Sequence, residues 1–314
     1  ISSVVGNLIT ASAVHGFYAG TRIRSDLGSL PSSSGWSDII WIGSGFVASS
    51  LTLAQAATSL DGIEWTANTL PFSLAALAWN GSVVCGVQRG SGSTIAATSP
   101  DGVTWTQRVL PAAASWEAIC WNGSIFCAVG QAQATSIAAT SPDGVTWTQR
   151  TLPVSTGWWM ISWNGSVFCA VAISSSIAAT SPDGVTWTQR AMPISANWYA
   201  IAWNGTVFCA VALNSTIAAT SPDGITWTQR TLPASAYWEA IAWNGSVFCA
   251  IAAAGESATS SDGITWTAVT GTLPTPLALS TDYWVIPDGL TTTAFKISAT
   301  RGGSAVALTS TTTG

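Results

Sequence analysis

A turn of the form Ser-x-Asp-Gly returns six times along this 314-residue chain, with its Asp at 61, 101, 143, 183, 223 and 262. Successive spacings are 40, 42, 40, 40 and 39 residues. A second anchor keeps the same period: Trp41, Trp79, Trp121, Trp163, Trp203 and Trp243, followed in most copies by Asn-Gly. A fixed period of this length means that one supersecondary unit is copied, each copy burying its apolar face on its neighbours. Six units therefore occupy residues 34–270.

One unit can be read through its turns. In Trp116–Arg150, the run Trp116–Trp121 leads into Asn122-Gly123, the chemistry of a two-residue hairpin loop because both residues tolerate positive φ. Ile125–Val129 follows, then Ser136–Thr140, the turn Ser141-Pro142-Asp143-Gly144, and Val145–Arg150. No run holds a 3.6-residue period long enough for a helix. Four short strands every forty or so residues describe a β-propeller blade. With Asn122-Gly123 as the loop, Trp121 faces Ser124, Ile119 faces Phe126 and Ala118 faces Cys127. One hairpin face is then bulky (Ile119, Trp121, Phe126) and the other small (Ala118, Cys120, Ile125, Cys127). Blades pack bulky face on small face.

The stretch Ser-Pro-Asp-Gly-Val-Thr-Trp resembles the Asp-box of sialidase-type and related propellers, shortened by one residue between Asp and Gly. The resemblance implies a structural role for Asp61, Asp101, Asp143, Asp183, Asp223 and Asp262: each caps backbone N–H groups of its turn while the Trp packs beneath. A lone carboxylate per loop does not offer the six to eight oxygens that calcium takes, so neither a metal nor a cofactor is expected.

The flanks do not repeat. Gly6–Ser12, Thr21–Ser25, Tyr283–Ile286, Ala294–Ser298 and Ala305–Leu308 read as strands, and His15-Gly16 lies in the first connection. The runs Asn7–Thr10, His15–Phe17 and Gly28–Pro31, with Asp282–Ile286, Phe295–Ser298 and Gly302–Thr309, resemble a small β-sandwich module of phage tail and fibre proteins. Gly28–Pro31 and Gly271–Pro274 both echo the joint at which that module continues. The architecture expected is all-β: a six-bladed β-propeller (34–270) inserted in a small β-sandwich built from residues 1–33 and 271–314. The chain opens at Ile1 without a basic-then-apolar leader, which reads as a processed product or a segment of something longer.

Composition narrows the function. Only 7% of residues are charged while 48% are hydrophobic and 19 are Trp. That balance excludes disorder, and a net charge of −5 argues against nucleic acid. The apolar runs are too short for membrane insertion by helices. Cys85, Cys127, Cys169, Cys209 and Cys249 share one repeat position where Val47 stands in the first unit, so all six Cys, including Cys120, are expected to be buried thiols. Asn80, Asn122, Asn164, Asn204 and Asn244 match a glycosylation sequon, but hairpin chemistry accounts for them. Arg108, Arg150, Arg190 and Arg230 are repeat-equivalent and read as charges on outer edges.

Sequence diversity gathers on one face of the repeats, in the links between blades and between second and third strands, as a binding surface requires. There Trp159, Tyr199 and Tyr237 supply aromatic planes, with Asn197, Glu117 and Glu239 nearby, and aromatic planes among neutral polar groups with few charges suit stacking on sugars. Trp36, Trp116, Trp158, Trp198 and Trp238 are repeat-equivalent and are read as packing between blades. With a single His and no converging acids, no enzymatic activity is expected. The resemblance implies a structural subunit of an extracellular fibre or virion appendage. Its sandwich would self-associate, and its displayed propeller would adhere to surface glycans. A phage tail receptor-binding lectin is the alternative, and a glycosidase ranks third.

Overall fold

The computed structural model describes residues 3–5, 8–10, 22–24, 30–31, 35–62, 64–132, 135–269, 282–286 and 294–298. Every regular element among them is a β-strand. The chain divides into two compact units, Ile1–Ser29 with Val269–Gly314, and Leu30–Ala268.

The first unit draws on both chain ends. Its described strands form one antiparallel sheet in the order Ser3–Val5, Leu8–Thr10, Ala294–Ser298, Asp282–Ile286, Arg22–Arg24. Leu8 pairs with Lys296 and Ile23 with Tyr283, so the two late strands sit between early ones. A second layer is not seen among the described residues. His15, Gly28, Gly271–Pro274 and the run Ala305–Leu308 lie outside them.

The second unit holds the repeats in four sheets. In the third repeat, the end of Thr106–Trp121 pairs with Phe126–Ala132, which pairs with Thr135–Ser141, which pairs with Thr148–Thr151. The other repeats copy this ladder. Thr106–Trp121 and Thr228–Trp243 each run from the last strand of one repeat into the first strand of the next, which joins neighbouring ladders into larger sheets.

The hairpin register differs from expectation. Trp121 pairs with Phe126, Ile119 with Ala128 and Ala118 with Val129. The loop is centred on Gly123-Ser124, one residue later than Asn122-Gly123. The cause is the Asn side chain: Asn122 Oδ1 accepts from the backbone N–H groups of Ser124 (2.9 Å) and Ile125 (2.8 Å), so Asn122 flanks the turn and caps it. Gly123 takes the left-handed conformation at φ +98°. Moving the centre by one residue moves each partner by two, so every side chain stays on its expected face.

Those faces make the core. In one cluster, Ala76, Ala78, Cys85 and Val87 of the second repeat meet Trp116, Ile119, Phe126 and Ala128 of the third. Ala118, Cys127 and Val129 of the third then meet Trp158, Ile161 and Phe168 of the fourth. Trp116, Trp158 and Trp198 are fully buried. Burying one such side chain stabilises by about 1.5–3 kcal/mol. The six Cys are free thiols, but Cys120 and Cys249 are only partly buried. Cys120 and Cys127 are direct cross-strand partners in one sheet.

The Ser-x-Asp-Gly turns share one hydrogen-bond pattern. Asp143 Oδ1 accepts from the N–H groups of Val145 (2.8 Å) and Thr146 (2.9 Å) and from Ser141 Oγ (3.0 Å). Ser141 Oγ accepts from Gly144 N–H (2.8 Å), and Trp147 Nε1 donates to the Gly144 carbonyl (3.0 Å). Asp101, Asp183, Asp223 and Asp262 make the same pairs of backbone bonds, and Asp61 binds Glu64 N–H at 3.0 Å. The N–H of Thr104, Thr146, Thr186 and Ile264, respectively, holds the carboxyls of Asp101, Asp143, Asp183 and Asp262 below the usual range. The Arg series is not simply solvated. Nε of Arg108, Arg150, Arg190 and Arg230 donates to a Thr hydroxyl on the adjacent strand at 2.9–3.0 Å.

Asp38 adds a polar contact between the first two repeats. Its Oδ2 accepts from Leu77 N–H at 2.7 Å. Burial pushes its carboxyl up to about 6, against the pull of the Leu77 and Ile39 N–H groups.

Two outcomes are expected. Asp143→Ala removes the carboxylate oxygen that accepts from two backbone N–H groups of its turn and should cost about 1–2 kcal/mol in denaturant unfolding, with Asp143→Asn retaining part of it. The Asp38 carboxyl holds its proton more tightly folded than unfolded. Its contribution is therefore greatest below pH 4 and is lost as pH rises to about 6. Unfolding midpoints taken from pH 4 to 7 should fall more steeply for the wild type than for Asp38→Asn; parallel curves would refute this.

Candidate functional site

The first strand of a repeat carries one residue too many for its partner. In the third repeat Trp116 pairs with Gly130 and Ala118 with Val129, which leaves Glu117 outside the ladder. The same bulge leaves out Ser37, Trp159, Tyr199 and Glu239 in the first, fourth, fifth and sixth repeats. A bulge re-aims its extra side chain, and bulges concentrate beside functional sites. Each of these residues follows a Trp of the repeat-equivalent series, so a uniform scaffold presents Ser, Glu, Trp, Tyr and again Glu in turn.

Arg89 brings several of them together. It lies in the link between the second and third strands of the second repeat, within Gln88–Thr94. Its Nε donates to Glu117 Oε2 in an ion pair. Its guanidinium carbon stands 4.6 Å from the Trp159 ring centroid, a cation–π distance. Trp159 in turn lies 4.9 Å from Tyr199, with the rings inclined at 40°. Burial raises the Tyr199 phenol above its usual value, while Arg89, which also hydrogen-bonds it, opposes that rise; Glu239 and Glu117 are close enough to be felt. Glu117 is 5% exposed, and its second oxygen accepts from Ser115 Oγ at 2.7 Å. A buried carboxylate needs such partners.

The structure therefore gathers Glu117, Trp159 and Tyr199 around Arg89, with Glu239 nearby. It changes what the two aromatic residues offer. Trp159 has Arg89 and Tyr199 against it, so it is not an open plane. Glu117 is paired, not presented. Asn197 Oδ1 accepts from Ser174 N–H (3.0 Å) and Oγ (2.8 Å) and fixes a neighbouring link. Tyr237 is separate from the stack and 53% exposed. Arg89 was missed by sequence reasoning although a signal existed: within 34–270 it is the only basic residue outside the repeat-equivalent Arg series.

A cleft of about 450 Å³ opens elsewhere, lined by residues that include Ile42, Phe46, Leu60, Asp61, Glu64 and Val103. It borders the first repeat, where Leu60 and Glu64 replace the Pro and Thr that most other repeats carry.

No family model and no curated protein matches this chain. Solved structures do. Virginiamycin B lyase from Staphylococcus aureus aligns at TM-score 0.68 and 11% identity, over 88% of this chain and 98% of that one. The WD40 β-propeller domain of Doa1 aligns at 0.57 and 12%, over 90% and 96%. The GH74 enzyme of Niastella koreensis aligns at 0.56 and 19%, over 76% and 38%. The chain is a β-propeller protein by fold. The expectation of no enzymatic activity is corrected here. Two of these propellers are enzymes, so neither the architecture nor its low charge excludes catalysis.

Arg89→Ala should leave Glu117 buried without its partner and destabilise the protein by about 2–3 kcal/mol in denaturant unfolding. Arg89→Ala/Glu117→Ala should recover part of that loss. A double mutant as unstable as the sum of the two singles would show that the pair is not coupled.

Proposed function

We propose that this chain is a displayed, ligand-binding module of an extracellular fibre or virion appendage. In this reading the propeller has six blades, one for each sequence repeat. It is inserted in a β-sandwich formed by residues 1–33 and 271–314, and that terminal unit mediates self-association by strand or edge pairing. The meeting of both chain ends in one sheet supports the discontinuous domain.

One observation carries the binding role: on a scaffold of near-identical repeats, one bulge position holds Glu117, Trp159, Tyr199 and Glu239 in turn, and the first three of them gather around Arg89. Near-identical turns elsewhere need only fold. A position that varies while its backbone setting does not is free to be selected for a ligand. Surface glycans fit the chemistry. The exposed Tyr237 ring supplies a stacking plane, and the exposed Glu239 a hydrogen-bond acceptor on the same strand, Thr228–Trp243. The same site on a phage tail would be a receptor-binding lectin, the second reading.

A glycan array tests this. Retention of a defined glycan class is expected, weakened about tenfold or more by Tyr237→Ala/Glu239→Gln with the melting temperature unchanged. No retained glycan, or a double mutant that binds as well as the wild type, would overturn the glycan reading. Reducing ends released from a retained glycan would move the protein to the glycosidases.

A further inference from the structure

Five of the six Cys occupy one position in successive repeats, a position that Val47 fills in the first. Their cross-strand partners separate them. Cys85 pairs with Ala78, Cys169 with Ser162, Cys209 with Ala202 and Cys249 with Ala242. Among these pairs only the third repeat sets a second Cys opposite the first, Cys120 against Cys127. Ala at the position of Cys120 is enough for the fold in three other repeats, so packing does not account for this thiol.

The ladder sets how far apart the two residues stand. Asn122 N–H donates to the Ile125 carbonyl at 3.2 Å. Asn122 and Ile125 are therefore a hydrogen-bonded pair, Trp121 and Phe126 a non-bonded pair, and Cys120 and Cys127 the next bonded pair. Residues paired in this way have Cα atoms about 5.5 Å apart and side chains on one face of the sheet. A disulfide spans Cα separations of about 4.4–6.8 Å, most often near 5.5–6 Å. The backbone is already placed to accept one.

The two thiols differ in access. Cys127 is buried, while Cys120 is partly exposed where the third repeat packs on the fourth. Cys120 Sγ donates to the Trp121 carbonyl at 3.7 Å, a weak bond that a turn of the side chain gives up at little cost. Burial pushes the Cys120 thiol up to about 12. Burial, and then the neighbouring Cys120, pushes Cys127 higher still. An oxidant therefore meets Cys120 first, and reacts slowly at neutral pH.

We propose that Cys120 and Cys127 are a redox-active pair that closes to a cross-strand disulfide in an oxidising environment. With a small disulfide as oxidant, the Cys120 thiolate attacks one of its sulfurs, forms a mixed disulfide and expels one small thiol. Cys127 then loses its proton, attacks Cys120 Sγ and expels the second small thiol. Two protein thiols are oxidised, one small disulfide is reduced to two thiols, and those thiols take up the two protons. The bond staples Thr106–Trp121 to Phe126–Ala132, on the strand whose bulge presents Glu117 to Arg89. It belongs to this hairpin alone and is independent of the glycan reading.

The test uses the full chain, folded by circular dichroism, and dipyridyl disulfide as the oxidant. Cleavage after Arg108 and Arg150 isolates residues 109–150, which hold these two Cys and no other. In the wild type this peptide should be lighter by two hydrogens, carry no pyridyl adduct, and regain its mass under dithiothreitol. The oxidised protein should melt about 3–8 °C higher than the reduced one. Cys127→Val, which takes the residue of the first repeat, should stop at a pyridyl adduct on Cys120. Cys120→Ala, which takes the residue of three other repeats, should leave the peptide unmodified. A wild-type peptide that keeps the adduct, stays reduced or is joined to a second copy overturns the proposal. So does an adduct on Cys127 in Cys120→Ala, or a disulfide that does not raise the melting temperature.

Discussion

The interaction on which this structure depends is the seating of one repeat's bulky face on the small face of the repeat before it. Neither face is stable alone. A four-stranded sheet with Trp, Ile and Phe on one side and Ala, Cys and Val on the other exposes apolar area on both sides until it is stacked. The division of side-chain volume also fixes polarity, because two bulky faces would leave voids around their rings and two small faces would not fill the space between sheets. The repeats can stack in only one order. The turn glycines reinforce that order: a Cβ on Gly144, Gly184, Gly224 or Gly263 would crowd the Cys and the Thr of the preceding repeat.

This constraint explains where the chain spends its charge. A stacked apolar sheet needs few ionic groups, and most of those within the repeats are assigned to turns and ladders. The Asp carboxylates hold backbone N–H groups at the end of each third strand, and four Arg tie themselves to Thr hydroxyls on the adjacent strand. Asp38 departs from the pattern. It takes a position that is Ala in most other repeats and pairs with a backbone N–H of the second repeat, at the cost of burial that raises its carboxyl to about 6. Arg89 and Glu117 are the other departure. Both departures replace a repeat's standard residue with a charge that only its particular neighbour can satisfy, which is how a repetitive fold acquires individuality.

Much of this was legible in the residues. The period, the strand content, the two-faced hairpin and the capping Asp follow from turn chemistry and side-chain volume, both local properties. What escaped was set by competition or by distance. The loop centre moved from Asn122-Gly123 to Gly123-Ser124 because the Asn side chain outcompetes its own backbone for the turn's N–H groups. Periodicity does not register that contest, although the faces survived it because the shift was even. The Arg89 stack joins residues 28 to 110 positions apart in sequence. Trp159 and Tyr199 were recognisable as departures from the repeat, but nothing local shows that their planes would be turned on each other and on a cation.

The same reasoning separates the two kinds of surface this protein presents. A ligand site must differ from the repeat, since a residue copied six times is explained by folding. The bulge position meets that condition with Glu117, Trp159, Tyr199 and Glu239. The Trp buried between repeats meets the opposite condition: Trp116, Trp158, Trp198 and Trp238 are copied because the same face has to be filled at every interface.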